Sequence, residues 1–185
     1  MTEATDTTSE FQLVLELPPE LRNAVYRFTI CESSHINIGH TFTFAEPAIL
    51  QTNKQIRREA LEFFYYENTF RFHISDLDCT LLRRWIRSSP LRRNASLWAA
   101  INHSNNWRNL KRWLRHAFLD SRLAIGMPVQ RSTTTPGMTR IYGVAQFFDV
   151  MLREKYAGAT WESVDERLED LKSAMQTVKP GYMAG

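Results

Sequence analysis

Four side chains of zinc-ligand type are the first candidates for chemistry in this sequence. Cys31, His35 and His40 follow one another closely, and Cys79 lies far along the chain. Structural zinc sites usually take their ligands from short paired units of two cysteines and two histidines, and this spacing does not reproduce them. We therefore expect surface histidines, a small buried thiol and no metal.

A thiol nucleophile is the second candidate, because Cys79 lies six residues after His73. That separation alone places no base against the thiol, as nucleophilic catalysis requires. The sequence also contains no G-x-G-x-x-G, P-loop, G-x-S-x-G or H-E-x-x-H motif. We expect no catalytic residue and no cofactor, and an enzyme in which Cys79 and His73 meet is the third alternative for function.

Basic residues are concentrated in the middle of the chain, although the net charge is only +3. Residues 1–70 hold 5 Lys/Arg against 10 Asp/Glu, residues 71–122 hold 11 against 3, and residues 123–185 hold 7 against 7. The differences of −5, +8 and 0 add up to +3. A segment this basic can meet phosphates or an acidic protein surface, or can form a solvated face.

Helical spacing places many of these cations on a basic patch. Three arginines fall on one predicted helix, and an i, i+3, i+4, i+7 series forms a ridge on the next. The patch consists of Arg83, Arg84, Arg87, Arg108, Lys111, Arg112 and Arg115. Trp85, Trp107 and Trp113 are close in sequence, and their positions favour core packing over stacking on bases. A solvated face, an acidic protein partner and nucleic acid all stay open as interpretations.

The composition is that of a folded, non-membrane chain. Of the 185 residues, 43% are apolar and 12% aromatic, which is sufficient for a packed core. No apolar run approaches the roughly 20 residues that span a bilayer, and the N-terminus lacks a signal-peptide pattern. Two cysteines do not make a disulfide framework, so we expect a cytoplasmic or nuclear protein.

The stretch from Pro47 to Ile74 predicts a helix followed by a strand, and the other elements are expected to pack around this pair. Apolar residues recur at helical spacing from Ile49 to Phe63, and alternation follows in the strand at Phe70, Phe72 and Ile74. The polar side chains of this helix, Arg57, Arg58 and Glu59, are either surface charges or an Arg–Glu pair that ties the helix to its neighbours.

A shorter helix is predicted to open at Pro18-Pro19, where proline suits the first turn. Its apolar face would consist of Leu21, Ala24, Val25 and Phe28, and its polar face of Arg22, Asn23 and Arg27. Between this helix and Pro47, the segment 35–44 alternates Ile36, Ile38, Phe42 and Phe44 with polar residues, as one bent strand or two short strands would.

The second half of the sequence is predicted to be helical. A capping-box-like pair, Ser75 and Asp78, would begin one helix, and a helical pattern runs from about Ser96 to Asp120, with a weak stretch at 102–106. After a loop at 126–139, two helices follow, separated by Gly158 as a stop and Thr160 as a cap.

These elements predict a mostly helical α+β fold, with a sheet of two or three strands against the central helix. The predicted organisation is a tail at 1–11, an α+β domain with basic helices at 12–125, the loop at 126–139, and a helical pair at 140–185 that packs on the same core.

Two motifs in this order resemble a family. LELPPELRNAVYRFTI at 15–30 and PAILQTNKQIRREALEFFYYENTF at 47–70 are similar to a group of fungal proteins of uncharacterised function, described as F-box-like or EXR-type. The resemblance covers about residues 13–75. It implies a non-enzymatic protein-interaction domain, which could serve as a substrate or adaptor module of a ubiquitin ligase.

In F-box domains an LPxEL start forms the first helix, which docks on a Skp-type adaptor. The resemblance places Leu17, Pro18, Glu20, Leu21 and Val25 on that motif, with Pro18, Leu21 and Val25 as the partner-binding residues. The alternative is that the same apolar face covers the central helix. A nucleic-acid-binding protein that uses the basic patch is the second function class.

Overall fold

A computed structural model describes residues 13–39, 46–89, 91–102, 105–124, 138–181 and 183 of the chain. The α-helices are α1 (Pro19–Ile30), α2 (Lys54–Glu67), α3 (Thr80–Ser88), α4 (Trp107–Leu119), α5 (Met138–Tyr156) and α6 (Trp161–Val178). The strands are β1 (Ile36–Ile38), β2 (Thr69–Ser75) and β3 (Ser96–Asn102). Short 3-10 helices lie at Ala48–Gln51, Leu91–Asn94 and Ser121–Leu123. The fold is α+β with a helical majority, as predicted.

Strand β2 lies at the centre of a three-stranded sheet with the order β1-β2-β3. Its alternation predicts the observed burial, because Phe70, Phe72 and Ile74 are all buried. Both neighbours pair with β2 in parallel, with Ile36 opposite Phe70 and Thr69 opposite Ser96. Parallel neighbours need a crossover, and α2 and α3 lie in the two crossovers.

Both crossover helices pack on the same face of the sheet. From α2, the ring of Phe64 lies 5.6 Å from that of Phe70, and from α3 the ring of Trp85 lies 5.0 Å from Phe70 and 5.3 Å from Phe72. The opposite face leaves Asn37, Arg71 and Trp98 exposed. This parallel sheet is therefore covered by described helices on one side, whereas parallel sheets usually have both faces covered.

The prediction of a helical pattern beginning at Ser96 is wrong, because residues 96–102 form β3. Along this strand Leu97, Ala99 and Ile101 lie opposite the buried residues of β2, so every second side chain faces the core. All seven residues of β3 pair with β2, and this pairing favours a strand over a helix. The helix α4 begins only at Trp107, where the side chain of Asn106 accepts a hydrogen bond from the Asn109 amide.

Two helices begin later in the sequence than predicted. Residues 48–51 form a 3-10 turn, and the central helix α2 begins at Lys54 because the extended residue Asn53 caps it. The start of α3 does not use Ser75, which ends β2; instead Asp78 accepts a hydrogen bond from the amide of Thr80.

The C-terminal helices share one hydrophobic cluster with the sheet. Trp107 packs on Phe147 and Trp113 on Phe148, with ring centres 5.1 and 5.0 Å apart, which joins α4 to α5. Gly158, at a φ of 83°, follows α5, and Thr160 caps α6, as the sequence predicts. The predicted tail, the strand residues Phe42 and Phe44, and the loop at 126–137 lie outside the described residues.

Candidate interaction surfaces

Helix α1 packs on the protein through a face that the sequence pattern does not single out. Tyr26 and Ile30 are 0% and 3% exposed. The predicted apolar face points the other way: Leu21 is 53% and Phe28 90% exposed. Ala24 is also exposed and Val25 is half-buried. Of the two interpretations of this face, the one in which it covers the central helix does not agree with the exposure of Leu21 and Phe28.

A polar clamp holds α1 in this orientation against α2. The guanidinium of Arg22 donates to Glu59 at 3.0 Å, and Tyr26 Oη donates to the same carboxylate at 3.0 Å. One turn further on, Arg27 pairs with Glu67 at 2.8 Å. Charge-assisted bonds of this kind are stronger than neutral ones, and here one of them joins Arg22 of α1 to Glu59 of α2, 37 residues apart in sequence.

The clamp shifts the titration of its members. A hydrogen bond from Gln55, together with those from Arg22 and Tyr26, lowers the pKa of the Glu59 carboxyl against the opposing effect of burial. Burial and the neighbouring Glu59 raise the pKa of Tyr26 to about 12. At neutral pH, Glu59 is therefore an anionic acceptor and Tyr26 a neutral donor. Of the polar residues predicted on α2, Glu59 forms the interhelical pair and Arg57 pairs with Glu46 at 2.6 Å.

The partner-binding residues predicted from the F-box-like start lie on the outward side of α1. Pro18 is exposed and forms the N-cap, Leu21 is exposed and Val25 is half-buried. Their spacing continues to Phe28, which makes one apolar stripe along the helix. We call Leu21, Ala24, Val25 and Phe28 the α1 face. Phe28 lies on the predicted apolar face and, at 90%, is more exposed than Leu21 at 53%.

The cations of the basic patch differ in their surroundings. Lys111 contacts Asp165 at 2.9 Å and Glu169 at 3.0 Å, which joins α4 to α6. Burial works against the charge of Lys111, but these two carboxylates raise its pKa. Arg84 and Arg108 are exposed.

The remaining arginines of the patch come from two helices and act on the charge of one histidine. Burial lowers the pKa of His116, and the charges of Arg83 and Arg87 from α3 and of Arg112 and Arg115 from α4 lower it further. We call these four residues the arginine cluster. Within the described part of the chain, none of the four forms an ion pair, and the buried Nε of Arg83 has no hydrogen-bond partner.

The aromatic residues between these arginines belong to the core. Trp85 and Trp113 are 0% exposed and Trp107 is 5% exposed, as their sequence positions favour. Trp107 donates its indole N–H to Glu169 and Trp113 donates to the carbonyl of Leu123. None of the three presents a ring face to solvent, so none offers a stacking platform for a base.

The described residues among the thiol and zinc candidates each have different surroundings. Cys79 is buried, and burial raises its pKa to about 11, so the thiolate is scarce at neutral pH. His73 instead lies 3.4 Å from the side-chain oxygen of Asn37, and His35 stacks on Trp98. His40 lies outside the described residues; within them, no group of three potential ligands could hold a metal ion.

The sheet face that no described helix covers is a surface that the sequence prediction missed. Asn37, Arg71 and Trp98 form one row across β1, β2 and β3. Trp98 is 42% exposed and its ring lies 5.3 Å from that of His35. The alternation of residues 96–102 was the available signal, because it places Trp98 and the polar ends Ser96 and Asn102 on the face opposite to Leu97, Ala99 and Ile101.

No protein-family model, curated protein or solved structure matches this chain. The F-box-like resemblance therefore stays a prediction based on the two motifs. Among the described helices, none combines the length and apolar character needed to span a membrane.

Proposed function

We propose that this chain is a non-enzymatic protein-interaction domain that binds its partner through the α1 face. The observation that carries the proposal is the 90% exposure of Phe28 beside the 53% exposure of Leu21 on a helix that is already anchored by its opposite side. Exposed apolar stripes on a folded domain are typical of protein contacts. The F-box-like motif supports the same surface, since it assigns partner binding to Pro18, Leu21 and Val25.

The arrangement fits recognition of a helix by a groove. In such complexes, apolar side chains at i, i+3, i+4 and i+7 enter a hydrophobic groove, and Leu21, Ala24, Val25 and Phe28 have this spacing. The clamp between Arg22 and Glu59 fixes the helix before binding. Such preorganisation lowers the entropy that binding costs. A Skp-type adaptor is the specific partner that the resemblance implies, which would make the chain a substrate or adaptor module of a ubiquitin ligase.

The alternative, a nucleic-acid-binding protein that uses the predicted ridge, has less support. Lys111 is engaged with two carboxylates, and the three nearby tryptophans are buried. The ridge therefore lacks one of its predicted cations and the aromatic platforms on which single-stranded bases would stack.

Affinity capture from the source cells tests the proposal. The wild-type chain is compared with Leu21→Asp/Phe28→Asp and with a matched control, Leu119→Asp/Tyr156→Asp, whose residues are 74% and 78% exposed on other helices. We expect a protein that is captured by the wild type and the control and is lost with the α1 variant. Equal retention by all three would contradict the proposal, as would equal loss from both variants.

A binary binding assay with a purified Skp-type adaptor tests the finer proposal. We expect binding that the Leu21→Asp/Phe28→Asp variant abolishes and the control keeps. No binding by the wild-type chain would exclude the adaptor as the partner, and the capture experiment would then identify a different protein for the same face.

A further inference from the structure

The sheet face that no described helix covers carries an aromatic ring beside a positive charge. Arg71 of β2 lies opposite Asn37 of β1 on one side and opposite Trp98 of β3 on the other. All three side chains are exposed. Neighbouring strands lie about 4.8 Å apart, so the row spans about 10 Å. The register therefore places an indole, a guanidinium and an amide side by side on one surface.

Trp98 differs from the other tryptophans of this chain. All five lie in the described residues, and Trp98 alone is exposed, at 42%. A planar nitrogen heterocycle already stacks on it, because the ring centres of His35 and Trp98 are 5.3 Å apart and the ring planes differ by 29°. His35 is itself exposed. The two rings thus form a stack at the surface, to which a further planar group can add.

The surroundings of this stack suit an anion with hydrogen-bonding edges. None of the strand positions that face this way is a carboxylate. In the described part of the chain, Arg71 forms no ion pair. His73 Nε2 lies 3.4 Å from Asn37 Oδ1, which leaves the amide N–H donors of Asn37 for a ligand. The other exposed positions on this face, Ser96 and Asn102, are also polar.

These features match a single-stranded nucleic acid better than another partner. Sheets that bind single strands stack bases on exposed aromatic rings, and cations beside the rings meet the phosphates. An acidic peptide would satisfy Arg71 but would leave the stack of His35 and Trp98 without a planar partner. A second copy of this chain would bring two Arg71 side chains to one interface, and such like charges are costly.

We propose that Asn37, Arg71, Trp98 and His35 bind a short single-stranded stretch of nucleic acid, and we call these four residues the sheet surface. A base stacks on the two rings, Arg71 donates to a phosphate, and Asn37 donates to a base edge. Parallel sheets usually have both faces covered, and the strand would cover the face that the described helices leave open. The sheet surface is independent of the α1 face, because α1 packs on α2 and α2 packs on the other side of the sheet.

Fluorescence anisotropy of a short labelled RNA without self-complementarity, titrated with the full chain, tests the proposal. We expect Trp98→Ala to weaken binding about tenfold, as the loss of one stacked base implies. Trp98→Phe keeps a ring and should weaken binding less. Arg71→Gln should reduce the slope of log affinity against log salt by about 0.7, because one phosphate contact is lost. Since Arg71 is exposed, this variant tests the surface without disturbing the packing of Trp98.

Two matched controls change the same residue types on other elements. Tyr156→Ala removes a ring that is 78% exposed on α5, and Arg58→Gln removes an exposed arginine from α2. Each should alter binding less than about twofold, since neither lies on the sheet surface. Tryptophan emission gives an independent readout: the RNA should quench the wild type more than Trp98→Phe, which lacks the exposed tryptophan.

Four results would overturn the proposal. The first is no RNA binding by the folded wild-type chain, and the second is equal weakening by Trp98→Ala and Tyr156→Ala. The third is loss of binding on Arg108→Gln but not on Arg71→Gln, which would place the RNA on the basic patch. The fourth is an oligoglutamate peptide that binds as tightly as the RNA and is weakened equally by Trp98→Ala, which would assign the sheet surface to an acidic protein.

Discussion

Truncations on the two sides of α1 measure directly which side packs. Phe28 keeps 90% of its exposure, so folding removes about a tenth of its surface from water. Full burial of such a side chain is worth about 2–3 kcal/mol, and a tenth of that is about 0.2–0.3 kcal/mol. Alanine regains a similar amount through its higher helix propensity. We therefore expect Phe28→Ala to leave the free energy of unfolding within about 0.5 kcal/mol of the wild type.

Tyr26 should behave in the opposite way, because it is 0% exposed and donates to Glu59. Tyr26→Ala removes a buried aromatic ring, which should cost about 3–5 kcal/mol. Tyr26→Phe keeps the ring and removes the hydroxyl, which should cost about 0.5–1.5 kcal/mol. Phe28→Ala, Tyr26→Phe and Tyr26→Ala thus form a series of increasing cost, because each removes more buried contact than the one before.

Urea unfolding followed by circular dichroism provides the free energies, and unchanged slopes of free energy against urea concentration would show that the variants share the wild-type folded and unfolded states. A loss above about 2 kcal/mol for Phe28→Ala would refute the orientation of α1, since a cost of that size requires a buried side chain. A small loss for Tyr26→Ala would refute it equally.

Four further substitutions test the contacts around the two surfaces. Glu59→Gln should cost about 1–2 kcal/mol at pH 7, because the charge-assisted bonds to Arg22 and Tyr26 are weakened at a partly exposed site. Since the folded-state pKa of Glu59 is lowered, its contribution is present above the ordinary value of 4.5 and is lost as the pH falls through the folded-state pKa, so wild type and variant should converge in acid; a constant difference down to pH 3 would contradict this. His116→Asn should reduce the loss of stability as the pH falls below about 6.5, because the lowered pKa of His116 means that the unfolded chain binds its proton first; parallel pH profiles would show that the arginine cluster does not act on it. Lys111→Ala should cost about 1–2 kcal/mol and Arg108→Ala less than about 0.5 kcal/mol, since only Lys111 joins α4 to α6; equal costs in thermal or urea unfolding would place Lys111 on a free ridge.

The central part of the fold was predictable because its signals are local. The alternation at Phe70, Phe72 and Ile74 indicates a strand with one buried face, and Gly158 and Thr160 mark helix ends through backbone conformation and capping. Strand β3 was not predictable in the same way. Its alanines, leucine and tryptophan also suit a helix, and pairing with β2, a contact between distant segments, decides its conformation.

The orientation of α1 stayed open in the sequence for a different reason. Its apolar residues form a stripe, and a stripe usually faces the core. Here the clamp of Arg22 and Tyr26 on Glu59 selects the other side, and the apolar stripe is left outside. The effect of arginines from both α3 and α4 on the pKa of His116 was also hidden, because the sequence gives the spacing within each helix but not the distance between the helices.

Photo-crosslinking from position 28 tests most directly the claim that the α1 face binds a protein. A photoreactive amino acid replaces Phe28 in one chain and Leu119, 74% exposed on α4, in the other. Both chains are irradiated in the source cells. We predict a covalent adduct with one partner protein from position 28, absent from position 119 and abolished when Leu21→Asp is added. No adduct from position 28, or the same adducts from both positions, would contradict the account.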